Sequence, residues 1–212
     1  NYDFYQKVFN RGEVKDVTII DIDEKSIAKI GQFPWRRDIY SKILKNLNQH
    51  NPKAIAFDIV FSEEDKQNPK DLLSKLQVES DQLIDIDVID TNKIFVESIK
   101  DSKVILPILG EPKNNLVKNN SKPKLRLLAK GENPKNFIYK FKHKIISLEE
   151  ISSAASGIGS ISLIPSIDGV IRNVPVLYNI DDKIWPSLAL ESVRIATGQK
   201  NLLVKSSKNG IE

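Results

Sequence analysis

Two apolar runs, DVTIIDID (residues 16–23) and KAIAFDIVF (residues 53–61), flank a helical pattern and set the expected fold. The first run is apolar until its final carboxylates, and the second is rich in residues that favour strands, so both are expected to be buried strands. Between them, apolar side chains recur at helical spacing up to Pro52, at Ile39, Ile43, Leu44 and Leu47. Strand, helix and strand in this order predict a βαβ unit with a parallel sheet.

Shorter patterns continue the alternation of helices and strands. Helices are expected in EKSIAKIG, DLLSKL, TNKIFVESIK, ISLEEISSAA and WPSLALESVRIATG, and a third strand in KVILPIL (103–109). GIGSISLIP and VIRNVPVLYNI are expected to be two strands joined as a hairpin across the turn SIDG (166–169). Together these patterns predict one α/β domain over residues 1–212, with a mixed, partly parallel central sheet flanked by helices.

Residues 111–135 interrupt this alternation. They are rich in Lys, Asn and Pro and have weak periodicity. We therefore expect a long, flexible surface excursion that is the least ordered part of the domain and that acts as a lid over a neighbouring site.

The composition is that of an ordinary globular protein and narrows the function classes. Of the 212 residues, 40% are hydrophobic and 28% charged, and a net charge of +4 provides no dense basic field for nucleic acid. The basic cluster KFKHK (140–144) is expected to be a solvated strand, so no nucleic-acid partner is expected.

The absence of cysteine excludes disulfides and thiolate metal sites. No apolar run approaches the roughly 20 residues of a membrane helix, and the start at Asn1 suggests a piece excised from a longer protein.

Several polar and aromatic side chains are expected at one edge of the parallel sheet. In a βαβ unit the carboxyl end of the first strand and the start of the helix share an edge, where open α/β sheets bind ligands. Six residues fall there by position: Asp21, Asp23, Trp35, Arg36, Arg37 and Asp58. They are the first candidates for a ligand site or for an internal structural cluster.

Asp58 is the most informative of these residues because it stands between Phe57 and Ile59. A buried carboxylate is costly unless it is paired, and an arginine provides a bidentate partner. Arg37 is the preferred partner, so the sequence predicts an internal brace between Arg37 and Asp58. Trp35 is expected to be a core anchor rather than a ligand platform.

The segment DGVIR (168–172) raises the same question of pairing. Asp168 and Gly169 are expected to form a turn, and Arg172 projects from the strand that follows. Arg172 is either a second brace or an anion contact, and the sequence does not choose between them.

The segment DIDEKSIAKIGQ (21–32) partly matches a calcium-binding loop but departs from it at three positions. Lys25 replaces an oxygen ligand, Ser26 replaces the turn glycine and Gln32 replaces the final bidentate acid. We therefore expect no calcium site here.

A second likeness is to magnesium-dependent phosphatases of the haloacid dehalogenase type, in which an apolar strand ends in D-x-D. Asp21 and Asp23 occupy those positions, and the acids of VLYNIDD could supply a second pair that holds magnesium. The Thr or Val expected two residues after the second aspartate is Lys25, and the usual glycine is missing. A phosphatase using Asp21 and Asp23 is therefore the alternative function.

Five motifs in the right order resemble the CHASE type 2 family, the extracytoplasmic sensory domains of bacterial membrane receptors. They are IDIDEKSI, IGQFPWRR, AIAFDIVFSEED, IGSISLIPSIDGVIRNVPVLY and PSLALESVRIATG. The second motif stands where the family usually shows G-x-W-P-W-x-R, with Phe33 in place of the first tryptophan. The resemblance covers most of the chain, and residues 111–145 are the part that it does not match.

The resemblance implies a non-catalytic sensor module held outside the cytoplasm, periplasmic or extracellular, between the membrane helices of a parent protein. In the family such modules precede a cytoplasmic output, for example a nucleotide cyclase, a histidine kinase or a serine/threonine kinase, which this chain lacks. It also implies a homodimer that responds to an unknown small molecule or environmental stimulus, with no metal and no cofactor. The edge with Trp35, Arg36 and the segment SEED (62–65), which begins with Ser62 and Glu63, is the expected entry point of the signal.

Overall fold

The computed structural model describes residues 16–75, 88–112, 119–207 and 210–211. These residues form a mixed α/β fold with both parallel and antiparallel strand pairs, as predicted. The chain divides into two compact units, Asn1–Trp35 and Arg36–Glu212. None of the helices in the described ranges has the length and hydropathy needed to cross a membrane.

The first unit contains helix α1 (Glu24–Ile30), which confirms the helix predicted in EKSIAKIG. Asp23 caps its start, because its carboxylate accepts hydrogen bonds from the N–H (2.8 Å) and the hydroxyl (2.7 Å) of Ser26. Gly31 follows the helix with a φ of 117°, a conformation that glycine adopts without strain.

The buried strand predicted at residues 16–23 is not formed. Residues 17–23 belong to no strand among the described residues, and Ile19 is 87% exposed. An apolar run becomes a strand only where a neighbouring strand satisfies its backbone, and composition alone does not identify that neighbour. The βαβ unit predicted from this run is therefore wrong in its first strand.

In the second unit, strand β2 (Val104–Glu111) is the centre of a four-stranded sheet. Strands β1 (Ile55–Ala56) and β6 (Gly157–Ser160) run parallel to β2, and β5 (His143–Ile146) runs antiparallel to it. β2 is buried almost continuously, as expected for a strand covered on both faces. The registers are set by the Cα pairs Ile55–Val104, Ile105–Gly157 and Ile108–Ile146.

The connection from β1 to β2 is a parallel crossover. It contains helices α3 (Pro69–Lys75) and α4 (Thr91–Lys100), and α4 packs against α2 (Arg37–Asn48), the helix that precedes β1. The predicted parallel sheet and the predicted helices α2 and α4 are therefore confirmed. The parallel pair is β1 with β2, one strand later along the chain than the sequence predicts.

An aromatic cluster holds α2 and α4 against the segment that follows β1. Tyr40, Phe57, Phe61 and Phe95 meet mostly edge to face, with ring centroids 4.9 to 6.3 Å apart. Such aromatic pairs stabilise a core beyond the area that they bury. The cluster thereby fixes the base of the loop that runs on from Phe61.

A second sheet has the order β4 (Lys140–Phe141), β7 (Leu177–Ile180) and β8 (Lys183–Pro186). β7 and β8 form a hairpin whose turn residues, Asp181 and Asp182, have φ values of 53° and 56°. Positive φ at both central residues is the requirement of a type I′ turn. The buried residues of this sheet and the first one share a core: Ile108, Ile146, Ile158, Tyr178, Ile180 and Trp185.

The hairpin predicted across SIDG (166–169) is wrong. The turn itself forms, since the Gly169 N–H donates to the Ser166 carbonyl (2.8 Å) and Gly169 has a φ of 78°. However, β6 joins the first sheet and β7 the second, so the two runs do not pair. A turn signal shows where the chain reverses, and it does not show whether the flanking strands pair.

The third sheet contains β3 (Arg126–Gly131), β9 (Asn201–Ser207) and β10 (Gly210–Ile211), with β9 in the middle. β3 lies within 111–135, so this part of the predicted excursion is a regular strand. Residues 113–118 of the excursion lie outside the described residues. The cluster KFKHK contributes to β4 and β5 and is therefore a pair of short strands, in agreement with its predicted extended form.

Helices α5 (Glu149–Ala154) and α6 (Leu188–Ala196) confirm the last two predicted helices. The Ser187 side chain caps α6 by accepting from the Leu190 N–H at 3.1 Å. Pro186 belongs to β8 and directly precedes this cap, so it stands outside the first turn of α6.

Helix α6 lies directly on strand β6. A Cβ atom at Gly159 would lie 2.5 Å from the Leu188 Cα, and one at Gly157 would lie 2.5 Å from Glu191 Oε1. Only glycine allows a helix and a strand to approach this closely. The approach brings the Glu191 carboxylate against the strand backbone.

Candidate functional site

An open crevice of about 410 Å³ lies beside the loop that follows the aromatic cluster. Its lining consists of residues 62–66, Asp71, Lys75 and Leu148. Ser62 and Glu63, which the sequence places at the expected entry point, are therefore both part of the wall. The volume lies within the range of small-molecule sites in proteins.

Asp65 connects the crevice wall to the starts of two helices. One of its oxygens accepts from the Arg37 backbone N–H (2.9 Å) and the Thr91 hydroxyl (2.7 Å), and the other accepts from the Gln67 N–H (3.0 Å). Arg37 and Thr91 are the first residues of α2 and α4. Helix starts carry partial positive charge and unpaired N–H groups, so a carboxylate at this position stabilises both helices.

Asn68 extends this network beneath the crevice. Its amide oxygen accepts from the Thr91 N–H (3.1 Å), and its NH₂ group donates to Asp71 (3.0 Å). Asp90 caps α4 by accepting from the Lys93 N–H (3.1 Å). Asn68 is almost fully buried, and both polar atoms of its side chain are hydrogen-bonded, as a buried amide requires.

The acid at the edge of this network is held in its charged form. Burial works against ionisation of Asp90, but the Lys70 ammonium at 3.0 Å and the Lys93 N–H hold the pKa of Asp90 below its usual value. Its charge is therefore available to cap α4 at neutral pH.

Arg37 is buried, but not in the way the sequence predicts. Its guanidinium lies over the Phe61 ring, 4.9 Å from the centroid, and donates to the Glu63 carbonyl. Its Nη1 atom is buried and has no hydrogen-bond partner. Burial lowers the pKa of Arg37, and the nearby charges, Asp65 first, oppose this shift.

The predicted brace between Arg37 and Asp58 is therefore wrong. Asp58 is exposed and makes no hydrogen bond or ion pair with the described residues. Strand β1 ends at Ala56, and in the segment beyond it Phe57 and Phe61 turn inward while Asp58 faces the solvent. Apolar neighbours in the sequence did not make this position a buried one.

Arg36 forms an ion pair at the start of helix α2. Its guanidinium binds the Asp38 carboxylate through two hydrogen bonds of 2.6 and 2.9 Å. The Arg36 hydrogen bonds hold the pKa of Asp38 below its usual value, and the same contact raises the pKa of Arg36. Arg36 therefore reinforces the first turn of α2, where an acidic side chain is favourable.

The aromatic pair of the first unit is packed against its own loop. Trp35 is 7% exposed, its indole N–H donates to the Gly31 carbonyl (2.7 Å), and its ring meets Phe33 edge to face at 6.3 Å. The burial agrees with the predicted anchor role. The polar edge of the ring is hydrogen-bonded within the chain.

The acids of the alternative phosphatase do not form a metal site in the described residues. Asp21 is exposed, and Asp23 is used as the cap of α1, where the Ser26 hydroxyl and N–H lower the pKa of Asp23. Asp181 binds Lys144 at 2.9 Å. No group of three or more His, Cys, Asp or Glu side chains in the described ranges is placed to hold a metal ion.

Asp168 and Arg172 form a brace across the SIDG turn. Two hydrogen bonds, of 2.9 and 2.7 Å, join the guanidinium to the carboxylate. These bonds, and the Val170 N–H, lower the pKa of Asp168 to about 2. Of the two roles considered for Arg172, a brace or an anion contact, the structure shows the brace with Asp168.

Sequence reasoning missed the parts of the network that lie outside the SEED segment. Asn68, Asp90 and Thr91 escaped notice, although Asp90 directly precedes a clear helical pattern and so stands at a capping position. It also missed the buried pair of Glu191 and Arg194, because a three-residue spacing on a helix is the same for buried and for exposed pairs.

The comparison with known families identifies the chain. The described residues form a mixed α/β fold with an open crevice at the 62–66 loop. The family model of the CHASE2 domain matches residues 1–210, so the chain belongs to the CHASE2 domain family. This family consists of extracytoplasmic sensor domains, which are generally non-catalytic. No curated protein and no solved structure matches the chain.

Proposed function

We propose that this chain is the sensory module of a bacterial transmembrane receptor, located in the periplasm or outside the cell, and that it controls a cytoplasmic cyclase or kinase. Membership of the CHASE2 family supports the sensory role and the location. The crevice at residues 62–66 supports the further proposal that a small molecule is the stimulus. The module itself catalyses no reaction in this proposal.

The observation that carries the proposal is the double role of Asp65. It belongs to the crevice wall, and it also bonds to the first residues of α2 and α4. A ligand that favours one position of the 62–66 loop therefore favours one arrangement of both helix starts. A ligand can shift a conformational equilibrium only through such a difference in contacts between two states.

A homodimer is part of the same proposal. The segment 163–176 supports it, because four of its apolar side chains are more than half exposed: Leu163, Ile167, Val174 and Val176. Its charged side chains, Asp168 and Arg172, neutralise each other. An apolar and electrically balanced surface of this kind suits a second copy of the chain better than a charged partner.

The reading frame that contains residues 1–212 is the most direct test of the receptor proposal. We expect it to encode membrane-spanning segments next to this module and a cyclase or kinase domain beyond them. A frame without either would overturn the proposal, whatever the crevice binds.

The crevice is tested in the full-length receptor with a charge-balanced pair of substitutions. Glu64→Ala combined with Lys75→Ala removes two exposed side chains from the wall, and we expect the stimulus response to be lost. The matched control, Glu97→Ala with Lys100→Ala, removes the same charges from the exposed side of α4 and should leave the response intact. A full response in the crevice variant, at equal membrane expression, would exclude this crevice and favour signalling through the dimer.

A further inference from the structure

The solvent face of the third sheet carries an unusual combination of side chains. β3 and β9 pair in parallel, which places Arg126 beside Asn201, Leu128 beside Leu203 and Lys130 beside Lys205. Side chains alternate between the faces of a strand, so these six residues share one face. All six are exposed, with Leu128 at 40% and Leu203 at 59%. We call this surface the basic face.

The charges of the basic face are not compensated by ion pairs with other described residues. Neither β3 (RLLAKG) nor β9 (NLLVKSS) contains an acidic residue. Among the described residues, Arg126, Lys130 and Lys205 form no ion pair. Like charges in directly neighbouring positions destabilise a sheet, so Lys130 and Lys205 weaken β3–β9 pairing in water. A negatively charged partner would remove this repulsion.

The leucines show which kind of negatively charged partner fits. Leu128 and Leu203 lie between the Arg126–Asn201 pair and the Lys130–Lys205 pair and present adjacent apolar side chains to the solvent. A soluble polyanion would use the cations and leave the leucines in water. A second copy of the basic face would bring like charges together. An anionic bilayer provides phosphate groups for the cations and an apolar layer just beneath them for the leucines.

We propose that the basic face docks onto a membrane surface that contains anionic phospholipids. Arg126, Lys130 and Lys205 contact headgroup phosphates, and Leu128 and Leu203 enter the boundary between headgroups and acyl chains. This interaction is additional to the proposed sensory function and does not depend on it. It places the third sheet, and not the crevice, against the lipid.

Vesicle sedimentation with the 212-residue chain tests the docking. We expect binding to vesicles of phosphatidylcholine mixed with phosphatidylglycerol, and little binding to phosphatidylcholine alone. Binding should weaken with added salt, since exposed charges are screened. No binding to the mixed vesicles, or equal binding to both kinds, would overturn the proposal.

Two variant pairs separate the contributions of charge and of the leucines. Lys130→Gln with Lys205→Gln should weaken binding about thirty-fold, at about 1 kcal/mol for each cation near an anionic surface. Lys45→Gln with Lys100→Gln removes the same charge from exposed positions on α2 and α4 and should bind like the parent chain. An equal loss in both pairs would show that net charge alone is responsible and would overturn the assignment to this face.

Leu128→Ser with Leu203→Ser tests the bilayer against a soluble polyanion. The variant should lose most vesicle binding while its circular dichroism spectrum and melting curve stay those of the parent chain. Undiminished vesicle binding would show that the basic face binds through its charges alone. That result would overturn the membrane assignment in favour of a soluble polyanion.

Discussion

Two ion pairs in the second unit have nearly the same geometry and opposite surroundings. In α6, Arg194 binds Glu191 through two hydrogen bonds of 2.7 Å. In the SIDG turn, Arg172 binds Asp168 through bonds of 2.9 and 2.7 Å. The Glu191 side chain is fully buried, whereas the Asp168 side chain is 53% exposed. Geometry alone therefore does not set how much an ion pair contributes to the free energy of unfolding. Burial determines how much stability is lost when one partner is removed.

The surroundings of the buried pair explain why it is tolerated. Glu191 lies against the Gly157 backbone, and Arg194 also donates to the Gln199 carbonyl (2.7 Å) just past the helix end. The hydrogen bonds that Arg194 donates to Glu191 raise the pKa of Arg194. All the charge in this part of the core is thus paired, which is the condition for burying it without a large loss of stability.

The largest effect is expected from breaking the buried pair. Glu191→Ala should lower the free energy of unfolding by about 3–5 kcal/mol, because it leaves the Arg194 charge buried without its carboxylate. Urea denaturation followed by circular dichroism measures the loss. The double variant Glu191→Leu with Arg194→Met removes both charges and should recover most of the stability. A single variant within about 1 kcal/mol of the parent chain would show that burial does not distinguish the two pairs.

An intermediate effect is expected at Asp65, which is buried but receives its hydrogen bonds from N–H and O–H groups. Asp65→Ala should cost about 2–3 kcal/mol, because α2 and Thr91 both lose an acceptor. Asp65→Asn keeps one oxygen acceptor and should cost about half as much. Thermal or urea unfolding of both variants gives the comparison. Equal losses of stability in the two variants would show that the hydrogen bonds to the carboxylate oxygens are not the cause of the loss.

The smallest effect on stability is expected at the exposed pair. Arg172→Ala should move the melting temperature by no more than about a degree, as is usual for exposed ion pairs. The pKa of Asp168 should rise from about 2 towards its usual value of 3.8, since the guanidinium is the main cause of the shift. A titration of Asp168 by NMR measures the change. If Asp168 still titrates near 2 in the variant, the Val170 N–H and not Arg172 controls its ionisation.

The direction of the accompanying pH dependence follows from the same shift. The pKa of Asp168 is lower in the folded chain than its usual value of 3.8. The pair therefore stabilises the fold above that value, and the contribution disappears as the pH falls towards 2. In the Arg172→Ala variant this acid-dependent component should be smaller, because the Val170 N–H still lowers the pKa of Asp168.

Local patterns predicted the helices well and the strand partners poorly. The helix at 91–100 was evident because its apolar spacing is encoded within ten residues, even though its N-terminal cap Asp90 was overlooked. The predictions of a strand at 16–23 and of a hairpin across 166–169 required knowledge of which strands pair. The sequence of an apolar run does not identify the strand with which it pairs. A parallel sheet does form, but its parallel pair is β1 with β2, so the alternation of apolar runs and helices predicted the kind of sheet and not the strands that pair.

Of the predicted entry point, the SEED segment lines the crevice, whereas the contacts of Arg37 differ from those predicted. The SEED segment was placed at the crevice edge by its position after the second apolar run, and residues 62–65 do line the crevice. Arg37 was correctly expected to be buried, but the choice of Asp58 over Asp65 as its neighbour required the direction of side chains beyond the end of β1. A strand that ends after Ala56 changes that direction, and sequence patterns locate strand ends poorly.

The two tryptophans of the chain lie one in each unit, Trp35 in the first and Trp185 in the second. Both are buried, with their indole N–H groups bonded to the carbonyls of Gly31 and Ile180. Intrinsic fluorescence therefore has one emitter in each unit, and a single replacement by phenylalanine assigns the remaining emission to the other. Emission wavelength and quenching then follow the two units separately during unfolding or ligand addition, without any attached dye.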